Sequence, residues 1–232
     1  MSFQFFCLIS TLYSFRLPIC LIVFYLTAVI AIAEILKHSW DTKTEITRKI
    51  VHIASGNIII FAWQLQLPIW ILITGSILST LAVLVSYAFY LFPSINDINR
   101  LSYGTLFYAF SIGILSYCFW YEERFQYAVI GILIMTWGDG MAAIVGLKFG
   151  KHTYQIFNVN KSWEGSLMMM GISFIVCSVI LSLVGEPFSR TFIISLVTSI
   201  VATALEVFSS FGIDNMTVPI GSAFVSFYLA NL

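Results

Sequence analysis

The sequence has very few charged residues. Asp, Glu, Lys and Arg make up 9% of its 232 residues, whereas hydrophobic residues make up 59%. Soluble domains carry roughly a quarter charged residues, so this composition excludes an ordinary soluble domain. The mean hydropathy of +0.95 instead indicates an integral membrane protein. The 11 basic and 11 acidic residues balance to a formal charge of +0, which gives no reason to expect nucleic acid binding.

Cysteine and nucleotide-binding signatures are scarce as well. The 4 cysteines are far apart and no C-x-x-C pair occurs, which predicts neither a disulfide framework nor a zinc site. No G-x-x-x-x-G-K-[ST] sequence is present, so a Walker-type phosphate loop is not expected. No internal repeat or low-complexity linker divides the chain, and we expect one compact membrane domain over residues 1–232.

Long apolar runs dominate the sequence. A membrane-spanning helix needs about 20 mostly apolar residues. This rule predicts an all-α, polytopic transmembrane helix bundle of about seven or eight spans. The first basic residue is Arg16, so the basic start of a cleavable signal peptide is missing, and we expect the first helix to be retained. The predicted spans are Leu17–Leu36, Ile50–Gln66, Ile69–Leu91, Tyr103–Trp120, Gln126–Leu147, Gly165–Val184, Thr191–Ser210 and Val218–Leu232.

The distribution of lysine and arginine predicts the orientation of this bundle. Under the span assignment, eight of the 11 basic residues fall on one side of the membrane, and an excess of basic residues marks the cytoplasmic side. Both termini are then expected on the opposite side. The loops before the second span, between the fifth and sixth, and between the seventh and eighth share the cytoplasmic face. These three loops hold most of the unusual polar residues.

Asp139 is the most unusual of them because it lies within the fifth span. An aspartate in hydrocarbon costs at least about 2.5–3.5 kcal/mol, which makes it a candidate functional residue. Around it, Gly138, Ala142, Gly146 and Gly150 recur every fourth residue. Small residues at this spacing allow helices to pack closely in a membrane. Packing explains the glycines but does not explain the acid.

The second span begins with a polar face. Arg48, His52 and Gly56 follow each other at intervals of four residues, so they share one side of a helix. Arg48 and Lys49 have an ordinary alternative as snorkelling residues at the membrane boundary. His52 lies about one turn deeper, where a histidine satisfied within the bundle is the alternative to a functional one.

The segment between the fifth and sixth spans is predicted to be a basic loop. Lys148, Lys151 and Lys161 bracket it, and Ser162 and Glu164 follow at the start of the sixth span. Phosphate binding uses point charges, backbone N–H groups and helix N-termini, all of which this segment offers. The alternative is that these lysines simply follow the charge asymmetry of membrane loops.

A polar stripe also runs along the seventh span and into the turn after it. Thr203, Glu206 and Ser210 are spaced as neighbours on one helix face, and Asp214 and Asn215 follow in the turn. Acidic and amide oxygens on the same membrane face as several lysines suit Mg²⁺ carrying phosphates. Asp214 taken alone could be a plain turn residue.

Taken together, these residues resemble the phytol kinase branch of the CTP-dependent polyprenol kinases. That family is related to dolichol kinase and CTP-dependent diacylglycerol kinase, and more distantly to phosphatidate cytidylyltransferases. The resemblance runs in order over most of the chain. Its matching segments are Arg48-Lys-x-x-His52, the G-D-G-x-A-x-x-x-G run from Gly138 to Gly146, Asn160-Lys-Ser-Trp-Glu-Gly-Ser166, Glu206 and Asp214-Asn-x-Thr-Val-Pro219.

The resemblance implies phosphorylation of an isoprenoid alcohol, with phytol as the expected substrate, by CTP or a related nucleoside triphosphate. The alcohol would enter from the membrane lipids, and the active site would face the cytoplasm or stroma at a bacterial, cyanobacterial or plastid membrane. On this hypothesis, Mg²⁺ is held by Asp139, Asp214 and Asn215. The nucleotide phosphates are bound by Arg48, Lys49, Lys148, Lys151, Lys161 and Ser162. The catalytic residues are Asp139, Glu164, Glu206 and His52, with Glu164 or Glu206 positioning or deprotonating the alcohol.

Three alternative functions are compatible with the same residues. A kinase of the same type could act on another lipid alcohol, such as a polyprenol or diacylglycerol. A cytidylyltransferase would instead leave CMP on the lipid and release pyrophosphate. A transporter would also place acids within membrane helices, although the absence of a repeat counts against it.

Overall fold

The computed structural model describes residues 16–40, 44–89, 103–157 and 159–232, with side chains described outside residues 36–48. Within these ranges the chain is a helical bundle with one short antiparallel hairpin. The helices are α1 (Arg16–Trp40), α2 (Thr44–Gly56), α3 (Ile58–Gln64), α4 (Ile69–Phe89), α5 (Gly104–Trp120), α6 (Phe125–Leu133), a π-helical segment (Ile134–Asp139), α7 (Gly140–Phe149), α8 (Trp163–Leu183), α9 (Phe188–Val207) and α10 (Asp214–Ala230). The strands are β1 (Thr153–Ile156) and β2 (Val159–Ser162).

The predicted all-α membrane bundle is confirmed. In the described part of the chain, 5 helical segments are long and apolar enough to cross a membrane. They are Arg16–Ile35, Ile69–Phe89, Phe125–Phe149, Trp163–Leu183 and Phe188–Val207. Helices α5 and α10 have 17 residues each, which is at the lower end of the spanning range of about 17–25. The last two residues of the predicted third span lie outside the described residues.

Two predicted spans are not continuous α-helices. The second is divided at Asn57 into α2 and α3, and the fifth contains the π-helical segment between α6 and α7. The two irregularities meet, because Trp137 Nε1 donates a hydrogen bond of 2.8 Å to Asn57 Oδ1. π-Helical turns occur frequently at functional sites. Asp139 is the last residue of this segment.

The predicted basic loop after the fifth span contains a β-hairpin, which the sequence analysis did not predict. Strands β1 and β2 pair in antiparallel register, with Thr153 opposite Ser162 and Ile156 opposite Val159. The base of the hairpin continues this pairing, since Trp163 N donates to His152 O at 3.0 Å. The hairpin therefore leads directly into the first turn of α8 and fixes the position of β2 against the bundle.

Helix α6 lies at the centre of the bundle. Every residue from Tyr127 to Leu133 is buried, and a helix that is apolar and buried on all sides occupies a core position. Its contact with α10 is very close at Gly131, where a Cβ atom would lie 2.3 Å from the backbone oxygen of Pro219. Helix α6 thereby holds in place the π-helical segment and α7, which continue from it.

We expect Gly131→Ala to destabilise the bundle. The added methyl group meets backbone atoms of α10, which must shift, and overpacking of this kind costs about 1–3 kcal/mol. The apparent unfolding temperature of the purified protein in detergent should therefore fall. Gly171→Ala is the matched control, because a Cβ at Gly171 meets nothing within 4 Å. Equal unfolding temperatures for the two variants would contradict this account of the α6–α10 contact.

Candidate functional site

A cavity of about 890 Å³ lies at the end of the bundle where α5, α8 and α10 begin and where α7 and α9 end. Its wall includes residues from all three polar loop regions that the orientation analysis assigned to one membrane face. The cavity also reaches into the bundle as far as the π-helical segment. The predicted site residues in its lining are Lys49, His52, Asp139, Lys161, Ser162, Glu206, Asp214 and Asn215.

The first ion pair of the cavity joins α2 to the π-helical segment. The ammonium group of Lys49 contacts Asp139 Oδ2, and the two side chains are only 12% and 7% exposed. Close packing of the helices makes this contact possible. Gly56 lies against Thr136 so tightly that a Cβ would come within 2.2 Å of the threonine methyl group. The cost of placing Asp139 inside the membrane is therefore offset by a buried lysine.

The second ion pair joins the hairpin to the end of α9. Lys161 Nζ lies 2.6 Å from Glu206 Oε1 and also donates to the carbonyl oxygen of Glu206. Both side chains are 12% exposed. A cation is favourable at the C-terminal end of a helix, where carbonyl groups lack intrahelical partners. Strand β2 thus holds Lys161 at the cavity wall and stabilises the last turn of α9.

Asp214 and Asn215 contribute to the cavity wall at the start of α10. The backbone N and side-chain Nδ2 of Asn215 donate to Asp214 Oδ1 at 3.1 and 3.2 Å. Asp214 also interacts electrostatically with Asp139, Lys49 and Lys161. The described lining therefore contains three carboxylates and two ammonium groups. This excess of acid over base favours a ligand that brings its own cation.

Three helices present their N-termini to the cavity. The lining includes Gly104, Gly165 and Asp214 from the first turns of α5, α8 and α10, together with Ser162. Ser162 is the N-cap of α8, and its Oγ accepts a hydrogen bond of 3.1 Å from Gly165 N. Helix N-termini attract anions because their backbone N–H groups point outward and the helix dipole is positive there. The cavity thus has anion-binding elements beside its carboxylates.

His52 contributes a titratable ring to the same cavity. Its imidazole packs against the ring of Tyr108, with 4.7 Å between ring centroids, and both residues line the cavity. His52 also interacts electrostatically with Asp139. The sequence pattern identified His52, whereas Tyr108 lies in an apolar run that gave no signal of a role at the site.

Three of the predicted site residues lie elsewhere. Lys148 and Lys151 are exposed beyond the cavity wall. Glu164 contacts the hairpin, where Oε1 lies 3.2 Å from His152 N and 2.7 Å from His152 Nδ1. A fourth predicted residue, Arg48, has a side chain outside the described residues. The proposed roles of these four residues stay predictions.

Comparison with known proteins gives the family. The chain is 47% identical over 206 residues to a phytol kinase from Synechocystis sp., and the match covers 87% of each chain. The chain belongs to the phytol kinase family. No family model and no solved structure matches it.

Plant members of the phytol kinase family match over a shorter range. Phytol kinase 1, chloroplastic, from Arabidopsis thaliana is 31% identical over 146 residues, which cover 56% of this chain and 46% of the plant protein. The chloroplastic farnesol kinase of the same plant is 30% identical over 142 residues, or 57% of this chain and 45% of the other. The matched region therefore covers less than half the length of each of these two plant relatives.

Proposed function

We propose that this protein transfers the γ-phosphoryl group of CTP to an isoprenoid alcohol, with phytol as the expected substrate. The observation that carries the proposal is the convergence of Lys49, Lys161, Asp139, Glu206 and Asp214 on one cavity of a membrane helix bundle. Membership of the phytol kinase family supports the same reaction class, since its relatives are named for kinases of phytol and farnesol. The choice of CTP comes from the resemblance of the sequence motifs.

The donor atoms of the cavity fit Mg²⁺. Among the described residues, no group of three or more His, Cys, Asp or Glu side chains forms a complete metal cage. Mg²⁺ is usually held by one or two carboxylates, with substrate phosphates and water as the remaining ligands. Asp139 and Asp214 would supply the carboxylates and Asn215 an amide oxygen. When bound, Mg²⁺ supplies positive charge that neutralises the nucleotide phosphates.

The lysines and helix N-termini would bind the triphosphate. Lys49 and Lys161 lie in the cavity wall and act as point charges toward phosphate oxygens. The N-terminus of α8, capped by Ser162, adds backbone N–H donors. Lys148 and Lys151 are exposed nearby on α7 and the following turn, where they would attract the nucleotide through interactions that salt screens strongly.

Glu206 is the better placed of the two carboxylates proposed to handle the alcohol. It lines the cavity, whereas Glu164 is bonded to the hairpin. In the proposed step, the alcohol oxygen forms a bond to the γ-phosphorus of CTP while the bond from that phosphorus to the β-phosphate oxygen breaks. CDP leaves, the product is an alkyl phosphate, and the hydroxyl proton passes to Glu206. His52 completes the polar rim beside Asp139.

The proposed active site faces the cytoplasm or, in a plastid, the stroma. The excess of lysine and arginine in the loops on this side supports that orientation. Nucleoside triphosphates are available there, and the cavity lies at that end of the helices. The lipid alcohol reaches the same end from within the bilayer.

The reaction is tested with purified protein in lipid nanodiscs, Mg²⁺, phytol and CTP labelled at either its γ- or its α-phosphate. We expect the γ-label to appear on the lipid and the α-label to remain in CDP. Transfer of the α-label to the lipid, with release of pyrophosphate, would instead identify a cytidylyltransferase. Farnesol, geranylgeraniol, diacylglycerol and the other nucleoside triphosphates are tested in parallel. Transfer to diacylglycerol but not to any isoprenoid alcohol would overturn the proposed substrate class.

A further inference from the structure

A second concave surface lies along the last turns of α9 and the turn that leads into α10. It encloses about 430 Å³, and its walls are mostly aliphatic and aromatic. We call it the α9–α10 groove and define it by its lining residues Ile200, Ala204, Leu205, Phe208, Ile213 and Thr217, with Val201, Ser209 and Ser210 completing the wall. Ligand sites for apolar molecules have volumes of about 300–1,000 Å³ and walls of this composition.

The groove opens outward from the bundle. Ile200, Phe208 and Ile213 are 52%, 64% and 40% exposed, and α9 is one of the helices that can cross a membrane. Exposed apolar side chains at the end of a membrane-spanning helix are expected to contact lipid. A lipid tail that enters the groove leaves one apolar environment for another, so the groove would act by packing and orienting the tail.

The groove adjoins the polar cavity. Ser209 and Ser210 line both spaces. Ser209 Oγ donates to Leu205 O at 2.5 Å and lies 3.3 Å from Thr217 Oγ1. Hydroxyl groups therefore mark the boundary at which an apolar wall becomes a polar one. An apolar groove beside a polar cavity suits a molecule that has a hydrocarbon tail and one hydroxyl group.

Glu206 lies on the same helix turn as the inner end of the groove. Leu205 faces the groove and Glu206 faces the cavity, because successive residues of an α-helix are rotated by about 100°. A hydroxyl group that passes Ser209 from the groove thus arrives beside the carboxylate proposed to accept its proton. The segment of α9 from Ile200 to Phe208 rises about 12 Å, which is long enough to hold the part of a tail next to the hydroxyl.

We propose that the α9–α10 groove binds the hydroxyl-proximal part of the isoprenoid tail and that Ser209 and Ser210 mark the passage of the hydroxyl group into the cavity. This inference rests on the proposed function, because it assigns a binding site to the alcohol of that reaction. The isoprenoid tail is chosen over the acyl chain of a bilayer lipid because the groove shares Ser209 and Ser210 with the wall of the reaction cavity. Occupation by bulk lipid is an outcome of the test.

Photolabelling tests the location directly and does not require turnover. The protein in nanodiscs is irradiated with a prenyl alcohol that carries a diazirine on the isoprene unit nearest the hydroxyl, and labelled peptides are identified by mass spectrometry. We expect labelling of residues 200–217 that excess phytol suppresses and excess phosphatidylglycerol does not. Labelling suppressed equally by phospholipid would assign the groove to bulk lipid and overturn the inference. Phytol-sensitive labelling at another helix pair would do the same.

Blocking the groove tests its part in the reaction. Ala204→Trp fills the groove, and Ala82→Trp on α4 is the matched control, because Ala82 is an exposed alanine of another spanning helix. We expect Ala204→Trp to lower kcat/KM for phytol by about tenfold to a hundredfold through lost orientation of the hydroxyl. The KM for CTP should stay unchanged in both variants.

The outcomes separate the two proposals. Equal kcat/KM values for the Ala204→Trp and Ala82→Trp variants would overturn the groove while leaving the kinase assignment intact. A wild-type protein that phosphorylates no isoprenoid alcohol would overturn the assignment itself. In that case phytol-sensitive labelling of residues 200–217 would still identify the groove as a binding site for an isoprenoid alcohol.

Discussion

Asp139→Asn is expected to lower the rate of phosphoryl transfer by about a hundredfold to a thousandfold, which is the usual cost of removing one charged group that acts on the transition state. Asp139 is buried at the end of the π-helical segment and shares the cavity with Asp214. Asparagine keeps the shape of the side chain but loses the negative charge that would hold Mg²⁺. The measurement is the turnover of labelled CTP as a function of Mg²⁺ concentration, and half-maximal activity should require more Mg²⁺ in the variant.

The control for this prediction must separate metal binding from folding. Asp139→Asn also leaves the buried ammonium group of Lys49 without its carboxylate partner, which can destabilise the protein. The double variant Lys49→Met/Asp139→Asn removes that ammonium group as well. It should recover the unfolding temperature of the wild type while the activity stays low. Glu122→Gln, at an exposed acid of the turn before α6, should change neither property. Normal Mg²⁺ dependence and turnover in the stable double variant would exclude the metal role.

Lys161→Met should have the second large effect. We expect kcat/KM for CTP to fall by about a hundredfold, because the variant removes a cation from the wall of the phosphate site. The same change leaves Glu206 buried without its ion-pair partner, and breaking such a pair costs about 3–5 kcal/mol. The unfolding temperature should therefore fall as well. Initial rates over a range of CTP concentrations and thermal unfolding in detergent give the two values.

A double variant distinguishes the two effects of Lys161. Replacing both members of a buried ion pair with apolar residues is often neutral for stability, so Lys161→Met/Glu206→Leu should restore the unfolding temperature but not the activity. Arg190→Met is the matched control for loss of a positive charge, since Arg190 is about half exposed and makes a weak pair with Glu186. Recovery of both stability and activity in the double variant would show that the pair has a structural role alone.

The hydropathy of the sequence was sufficient to predict the bundle. Within the described residues, each predicted span coincides with one helix or with two or three consecutive helical segments, because hydrocarbon permits few backbone structures other than helices. The breaks within the second and fifth spans could not be predicted. They depend on contacts between distant segments, such as the hydrogen bond from Trp137 to Asn57. The local sequence around Trp137 or Asn57 does not indicate that the other residue is its hydrogen-bond partner.

The hairpin was missed for a different reason. Its strands are 4 residues each and alternate between exposed and more buried positions, a pattern too short to distinguish from a polar loop by sequence. The β-branched residues Thr153, Ile156 and Val159 are the available signal for strands in this segment. Positive charge nearby favoured the interpretation of a basic loop.

Residue type and membrane topology predicted which polar residues lie near one another, but they did not predict which lysine pairs with which acid. Lys49 was assigned to phosphate and Asp139 to metal, and their direct contact was not predicted. The same holds for Lys161 and Glu206. A buried acid in a membrane protein generally needs a nearby cation, so a search for pairs was justified by the sequence. Which lysine belongs to which acid depends on helix packing, such as the tight approach of Gly56 to Thr136.

The π-helical segment from Ile134 to Asp139 changes the direction in which the side chains after it point. A π-helical turn accommodates one residue more than an α-helical turn, and one residue corresponds to a rotation of about 100°. The stretch before it is buried on all sides, whereas α7 after it presents Ala142, Ala143 and Gly146 to the cavity. The continuous helical segment from α6 to α7 thus has two parts with different surroundings. The first part packs within the bundle, and the second presents a face to the ligand cavity.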